Sequence, residues 1–222
     1  MSLTHNTPSA FVAIYGGSFD PPHYAHSEII RTLCEDERYW HIIIMPTYAN
    51  PLKAPPLFSP SERLEMCKVL CRQYNRAYPP KIPPAYSQEP CLPRVALSDY
   101  EIAQNRPVFT IESISALQEH FKSLYPCVQF AFVLGSDSFA TLDRWHKPQA
   151  LCEMLKFVLI ERETPSNITL QCKPQVLDSI SLCAYNTLSS TTIRLLLANG
   201  RIDEALAMIP KSIHTLIKRH FL

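Results

Sequence analysis

Glycine is scarce in this chain, with four among 222 residues, and two of the four stand side by side as Gly16-Gly17. Charge of one sign is lacking as well: 21 Lys and Arg against 20 Asp and Glu leave a formal net charge of +1. That balance argues against a nucleic-acid-binding stripe or an acidic tail, so no nucleic-acid partner is expected. No apolar run approaches the roughly 20 residues needed to span a bilayer. The opening MSLTHNTPSA lacks a basic segment followed by an apolar core. The expectation is therefore a cytoplasmic protein without membrane association. CxxC pairs are absent too. The eight cysteines, at 34, 67, 71, 91, 127, 152, 172 and 183, are scattered, which fits reduced thiols better than a disulfide framework or a zinc site.

What is present suits a folded α/β protein. Apolar residues make up 46% of the chain, ample for a sizeable core. Short apolar runs alternate with helical patterns. Strands are expected at Phe11 to Tyr15, His41 to Met45, Arg94 to Leu97, Val128 to Leu134, Phe157 to Ile160 and Leu182 to Tyr185. Helices are expected from His23 to about Glu37, from Ser59 to about Tyr74 with Leu64, Cys67, Val69, Leu70 and Cys71 inward, and over Ile111 to Leu124 behind a Thr110 cap. Ser189 opens another helix that stops at Asn199-Gly200, and two short helices close the chain. Residues 163 to 180 are polar and poorly patterned. Residues 78 to 93 hold six prolines, a composition that excludes helix and central strand and predicts a surface loop. Alternation of this kind predicts a doubly wound, mostly parallel sheet flanked by helices. One domain over residues 1–222 is expected, with a small helical part from about 189.

Ligands of such sheets bind beyond the carboxyl ends of the strands. Residues 11 to 26, FVAIYGGSFDPPHYAH, supply a strand, a Gly-Gly turn and a helix start. Main-chain N–H groups at a helix N-terminus attract anions. Pro21 and Pro22 suit the first helical turn. His23 and His26, three apart, would share one face of that turn. Two imidazoles there suggest phosphate binding, although strand, turn and helix could equally be plain α/β punctuation. HxxH lacks the spacing and the intervening Glu of a zinc-protease helix, so no metal site is assigned. Near the other end, Leu188-Ser189-Ser190-Thr191-Thr192-Ile193-Arg194 offers hydroxyls to cap a helix or bind phosphate oxygens, and a planar guanidinium suited to phosphate.

GGSFDPPHYAH resembles the GG(S/T)FDPxHxGH signature of bacterial nicotinate-mononucleotide adenylyltransferases, in the HxGH nucleotidyltransferase superfamily. It departs at Ala25, where that family has glycine. LSSTTIR is similar to the family's ISSTxIR motif, and the resemblance covers nearly the whole chain. It implies a Rossmann-like nucleotidyltransferase fold. The implied activity is adenylyl transfer from ATP to nicotinate mononucleotide in NAD biosynthesis, with Mg2+ carried on ATP.

The resemblance also implies roles residue by residue. Gly16, Gly17, Ser18, Phe19, Asp20, His23 and His26 would form the ATP phosphate site, completed by Ser189, Ser190, Thr191 and Arg194. Gly135, Ser136 and Asp137 would line the adenosine pocket. Thr110, with Trp145 and His146, would hold the pyridine ring. Asn50 and Lys53 resemble the family's second phosphate loop, with Leu52 where many members have His. His23, His26, Arg194 and Lys53 would carry the chemistry. Rival readings are another superfamily member, such as a pantetheine-phosphate adenylyltransferase, and a non-catalytic nucleotide sensor. A homo-oligomer remains open.

Overall fold

The computed structural model describes residues 11–49, 55–82, 88–161 and 169–221. Among them, six strands form one sheet in the order β3-β2-β1-β4-β5-β6. These are β1 (Phe11–Gly17), β2 (Tyr39–Pro46), β3 (Val95–Leu97), β4 (Gln129–Gly135), β5 (Lys156–Glu161) and β6 (Gln175–Ser181). Every neighbouring pair is parallel. The chain order reverses between β1 and β4, which opens a crevice at their carboxyl ends, the usual ligand position of such sheets.

The helices are α1 (Tyr24–Glu35), α2 (Pro60–Ala77), α3 (Tyr100–Ala103), α4 (Thr110–Lys122), α5 (Ser136–Phe139), α6 (Pro148–Met154), α7 (Ser190–Ala198), α8 (Ile202–Ala207) and α9 (His214–Arg219). They cover both faces. Along β1, Ala13 and Tyr15 join Ile30, Leu70, Ile193 and Ile217 of α1, α2, α7 and α9 on one side. Val12 and Ile14 join Ile114, Phe121 and Leu151 of α4 and α6 on the other. Both faces of the central strands are thus apolar, which is why they read as unbroken apolar runs in the sequence. Among the described residues no helix is long and apolar enough to cross a membrane.

Several sequence expectations need correction. The sixth strand is not Leu182 to Tyr185, which contains a 3-10 turn at Cys183–Tyr185. It is Gln175–Ser181, inside the stretch that reads as unpatterned. This strand forms the sheet edge and buries Ile180 alone, so it needs no apolar run. Helices α3 and α6 have no counterpart among the sequence expectations. The α1 helix begins at Tyr24, so Pro21 and Pro22 precede it rather than fill its first turn, and the Asp20–Pro21 peptide is cis. On α2 Arg63 is fully buried along with Cys67 and Leu70, while Leu64 is only half-buried. Phe109 rather than Thr110 caps α4, its N–H donating to the Glu112 carboxylate at 3.0 Å.

Candidate active site

The Gly-Gly dipeptide continues β1 instead of making the turn. Neither glycine has positive φ; the left-handed residue is Phe19, at φ 48°. A non-glycine residue there costs roughly 1–2 kcal/mol. The Phe19 ring is buried and meets Tyr15 edge-on at 5.3 Å, and those contacts hold the strained backbone. Glycine is required for a different reason, close approach of rings. A Cβ on Gly16 would lie 3.1 Å from the Phe132 ring, and one on Gly17 would lie 3.3 Å from the Phe19 ring.

His23 is the N-cap of α1 and is buried. Its N–H donates to Nδ1 of His26 at 3.1 Å, and the two rings lie 3.8 Å apart. With Nδ1 accepting, the neutral His26 ring carries its proton on Nε2 and offers a donor there.

Two contacts join the motifs from opposite ends of the chain. Ser190 Oγ donates to the Pro21 carbonyl at 3.1 Å. Arg194 Nη1 donates to the Asp20 carbonyl at 3.0 Å and to its carboxylate at 3.2 Å. Ser189 caps α7, its Oγ accepting from Thr192 N–H at 3.1 Å. Asp20 also accepts from the N–H groups of Leu57 and Phe58, each at 2.9 Å. Its carboxylate thus accepts three donors within the protein. Arg63, missed in the sequence reading, donates to the Ser18 carbonyl beside it at 2.7 Å. Its signal was available: an arginine in step with Met66, Cys67 and Leu70 on the apolar face of a helix.

Two segments that the sequence assigns to the pyridine ring also meet. Phe109, next to Thr110, stacks on His146 with ring centroids 4.4 Å apart and planes 24° apart. Trp145 meets Phe132 edge-on at 6.3 Å, and Phe132 is the same ring that lies over Gly16. Phe132 thus couples the Gly-Gly segment to the Trp145 segment. Asp143 steadies this region by accepting from the N–H groups of Gln171 at 2.8 Å and Cys172 at 3.0 Å. Gly135, Ser136 and Asp137 follow β4 at the neighbouring strand end. Asn50 and Lys53 lie outside the described residues. Among the described residues no group of three or more His, Cys, Asp or Glu could hold a metal ion.

Behind α4, the Glu101 carboxylate is buried and accepts from Ser113 Oγ at 2.9 Å. Burial pushes it up to about 7, against the opposing Ser113 hydrogen bond. A carboxyl that binds its proton more tightly when folded loses stability as pH rises from its ordinary value near 4.5 to about 7, and the loss is complete above that. The shift corresponds to about 3 kcal/mol. Glu101→Gln keeps an acceptor for Ser113 and cannot ionise. Urea midpoints between pH 5 and pH 8 are expected to fall in the wild type and to fall less in the variant. Parallel pH profiles would contradict the assignment.

A cytidylyltransferase-like family profile matches residues 14–196. A probable nicotinate-nucleotide adenylyltransferase of Helicobacter hepaticus is 42% identical over 220 residues, covering 96% of this chain and 97% of the relative. Another from Nitratiruptor is 35% identical over 154 residues, with 68% and 73% covered. Among solved structures, the nicotinic acid mononucleotide adenylyltransferase of Plasmodium falciparum, complexed with NaAD, has the same fold. Its TM-score is 0.70 at 22% identity, over 96% of this chain and 97% of that one. With both signature motifs brought together at one end of a doubly wound sheet, and with identity of this extent over almost the full length, the chain belongs to the nicotinate-nucleotide adenylyltransferases, within the cytidylyltransferase-like family.

Proposed function

We propose that this chain joins ATP and nicotinate mononucleotide into nicotinate adenine dinucleotide, releasing pyrophosphate, as its step in NAD biosynthesis. The observation that carries the reading is the pair of contacts between Ser190 and Pro21 and between Arg194 and Asp20, which join two phosphate-binding motifs beyond the end of β1. An oxygen of the mononucleotide phosphate attacks the α-phosphorus of ATP. The new P–O bond forms as the bond to the β-phosphate bridging oxygen breaks, and that electron pair leaves with pyrophosphate. The attacking group is already an anion, so no protein nucleophile or base is needed. Alignment and charge neutralisation supply the catalysis.

In this reading Gly16, Gly17 and Ser18 let the phosphates approach the main chain, and His23 and His26 donate to phosphate oxygens. Ser189, Ser190 and Thr191 offer polar groups at the start of α7 to the triphosphate oxygens, and Arg194 supplies positive charge. Gly135, Ser136 and Asp137 line the adenosine side; Thr110, Trp145 and His146 line the pyridine side. Asn50 and Lys53 keep their sequence-based assignment to the mononucleotide phosphate. Mg2+ fits as an ion carried by ATP and water: the Asp20 carboxylate already accepts three donors, and no acidic cluster among the described residues supplies a cage. The chain is read as one domain because α7, α8 and α9 share the core of the sheet, and its cytoplasmic placement keeps its sequence-based assignment. Incubation with ATP, Mg2+ and nicotinate mononucleotide, assayed for dinucleotide and pyrophosphate, tests the proposal. Turnover with phosphopantetheine in its place, or ATP binding without turnover, would overturn it.

Ala25, in the first turn of α1, is 1% exposed and packs into the core. Its methyl supports the helix rather than crowding phosphates. Ala25→Gly is therefore expected to cost about 1–2 kcal/mol in unfolding free energy, from helix propensity and one lost buried methyl. The Michaelis constant for ATP should not change. A lower constant in the glycine variant would place the methyl against the nucleotide.

A further inference from the structure

Two arginines, Arg63 and Arg94, are completely buried. Taking a guanidinium out of water costs several kcal/mol, which close hydrogen bonds must offset. Among the described residues neither arginine forms an ion pair; both spend their donors on main-chain carbonyls. Arg94 donates to the carbonyls of Tyr39, of Leu33 at 3.2 Å and of Cys34 at 2.7 Å. Those groups end α1 and start β2, away from the candidate site. Arg63 serves the opposite end of the sheet. Its Nη1 donates to the carbonyls of Ser18 and Thr47, each at 2.7 Å, and Nη2 donates to Tyr48 at 2.7 Å. Its Nε donates to Phe58 at 3.2 Å.

Ser18 directly follows β1, and Thr47 and Tyr48 directly follow β2. One planar fork therefore sets the spacing of two adjacent strand-end segments. Phe58 belongs to the same unit, since its N–H donates to Asp20, which in turn holds Arg194. Arg194 pairs directly with the Asp20 carboxylate, and Arg63 is tied to it through Phe58. The unit carries a net positive charge beside the Gly-Gly segment before any phosphate arrives.

We propose that Arg63 is a positioning residue for adenylyl transfer: it holds the Ser18 and Thr47–Tyr48 segments at the separation the reaction needs and adds a buried positive charge to the phosphate site. This rests on the adenylyl-transfer reading above. Lysine keeps the charge but is a single point donor that cannot span four carbonyls. Displacements on the order of 1 Å can cost about a hundredfold in rate.

The test compares Arg63→Lys and Arg63→Ala with the control Arg94→Lys, in the full chain, at a temperature where circular dichroism shows each folded. Arg63→Lys should lose about a hundredfold in kcat. Arg94→Lys should lose stability and keep its kcat. Guanidinium ion should restore part of the turnover of Arg63→Ala, while sodium at the same ionic strength should not. Wild-type kcat in Arg63→Lys would overturn the proposal. So would an equal kcat loss in Arg94→Lys, absence of rescue by guanidinium, or failure of both Arg63 variants to fold, which would leave a purely structural role. Inactive wild-type protein would instead overturn the adenylyl-transfer reading on which the proposal stands.

Discussion

His26→Ala is expected to lower kcat by about 10²–10³, the usual effect of removing one preorganised donor, worth about 2.7–4 kcal/mol of barrier. ATP should still bind, because Arg194, Ser190 and the main chain after β1 remain. The structure shows one job of the residue, and the proposed reaction asks a second of it. Its Nδ1 accepts the N–H of His23 and so caps α1, while the proton this places on Nε2 makes it a donor for phosphate. Losing the cap alone costs about 1 kcal/mol of stability. His26→Asn separates the jobs, since an amide oxygen one turn into the helix can still accept from His23 while the Nε2 donor is gone. Turnover and ATP affinity, measured for both variants beside their unfolding midpoints, decide the matter. Asn should restore stability and not turnover. If Asn restores turnover, His26 only shapes the helix start.

Much of this site is legible in the sequence because it is local. Gly16-Gly17, His23 and His26 lie within eleven residues, and their spacing alone places them around one strand end and one helix start. The LSSTTIR segment is equally local, and the capping role of Ser189 follows from its place before an apolar helical pattern. The reason for the glycines is not legible in the same way. The sequence suggests a sharp turn, but the turn falls at Phe19, and the glycines make room for Phe132 and Phe19 rings. Phe132 belongs to a different strand, and no local pattern reveals that contact. The same holds for Asp20, whose carboxylate meets Leu57, Phe58 and Arg194, the last of them 174 residues away. Arg63 shows a third limit. Apolar periodicity places it on the inward face of α2, yet a charged residue is read as exposed unless partners are known. Here the partners are carbonyls from three separate loops. Edge strand β6 escapes for the opposite reason, because a strand that buries one side chain leaves no apolar run.

The wild-type enzyme is expected to prefer nicotinate mononucleotide over its amide counterpart by on the order of a hundredfold or more. The two substrates differ by a carboxylate against an amide of similar shape. Stacking on Trp145 cannot distinguish them, since both present the same ring. Discrimination must come from donors aimed at the carboxylate. Hydrogen bonds to a charged group contribute roughly 1.5–3 kcal/mol each, against about 1 for neutral pairs. An amide also brings its own N–H donors, and one that faced a donor of the site would stay unpaired. Two such contacts account for a factor near a hundred, at about 1.4 kcal/mol per factor of ten. The Trp145 ring packs edge-on against Phe132, and the neighbouring His146 is held by its stack on Phe109, so each has support independent of the other. Trp145→Ala should therefore weaken both mononucleotides about equally and leave their ratio nearly unchanged. The measurement is kcat/KM for each mononucleotide in wild type and in Trp145→Ala. Equal constants in the wild type would overturn the acid preference, and a ratio that collapses only in the variant would show that Trp145 also aligns the carboxylate donors.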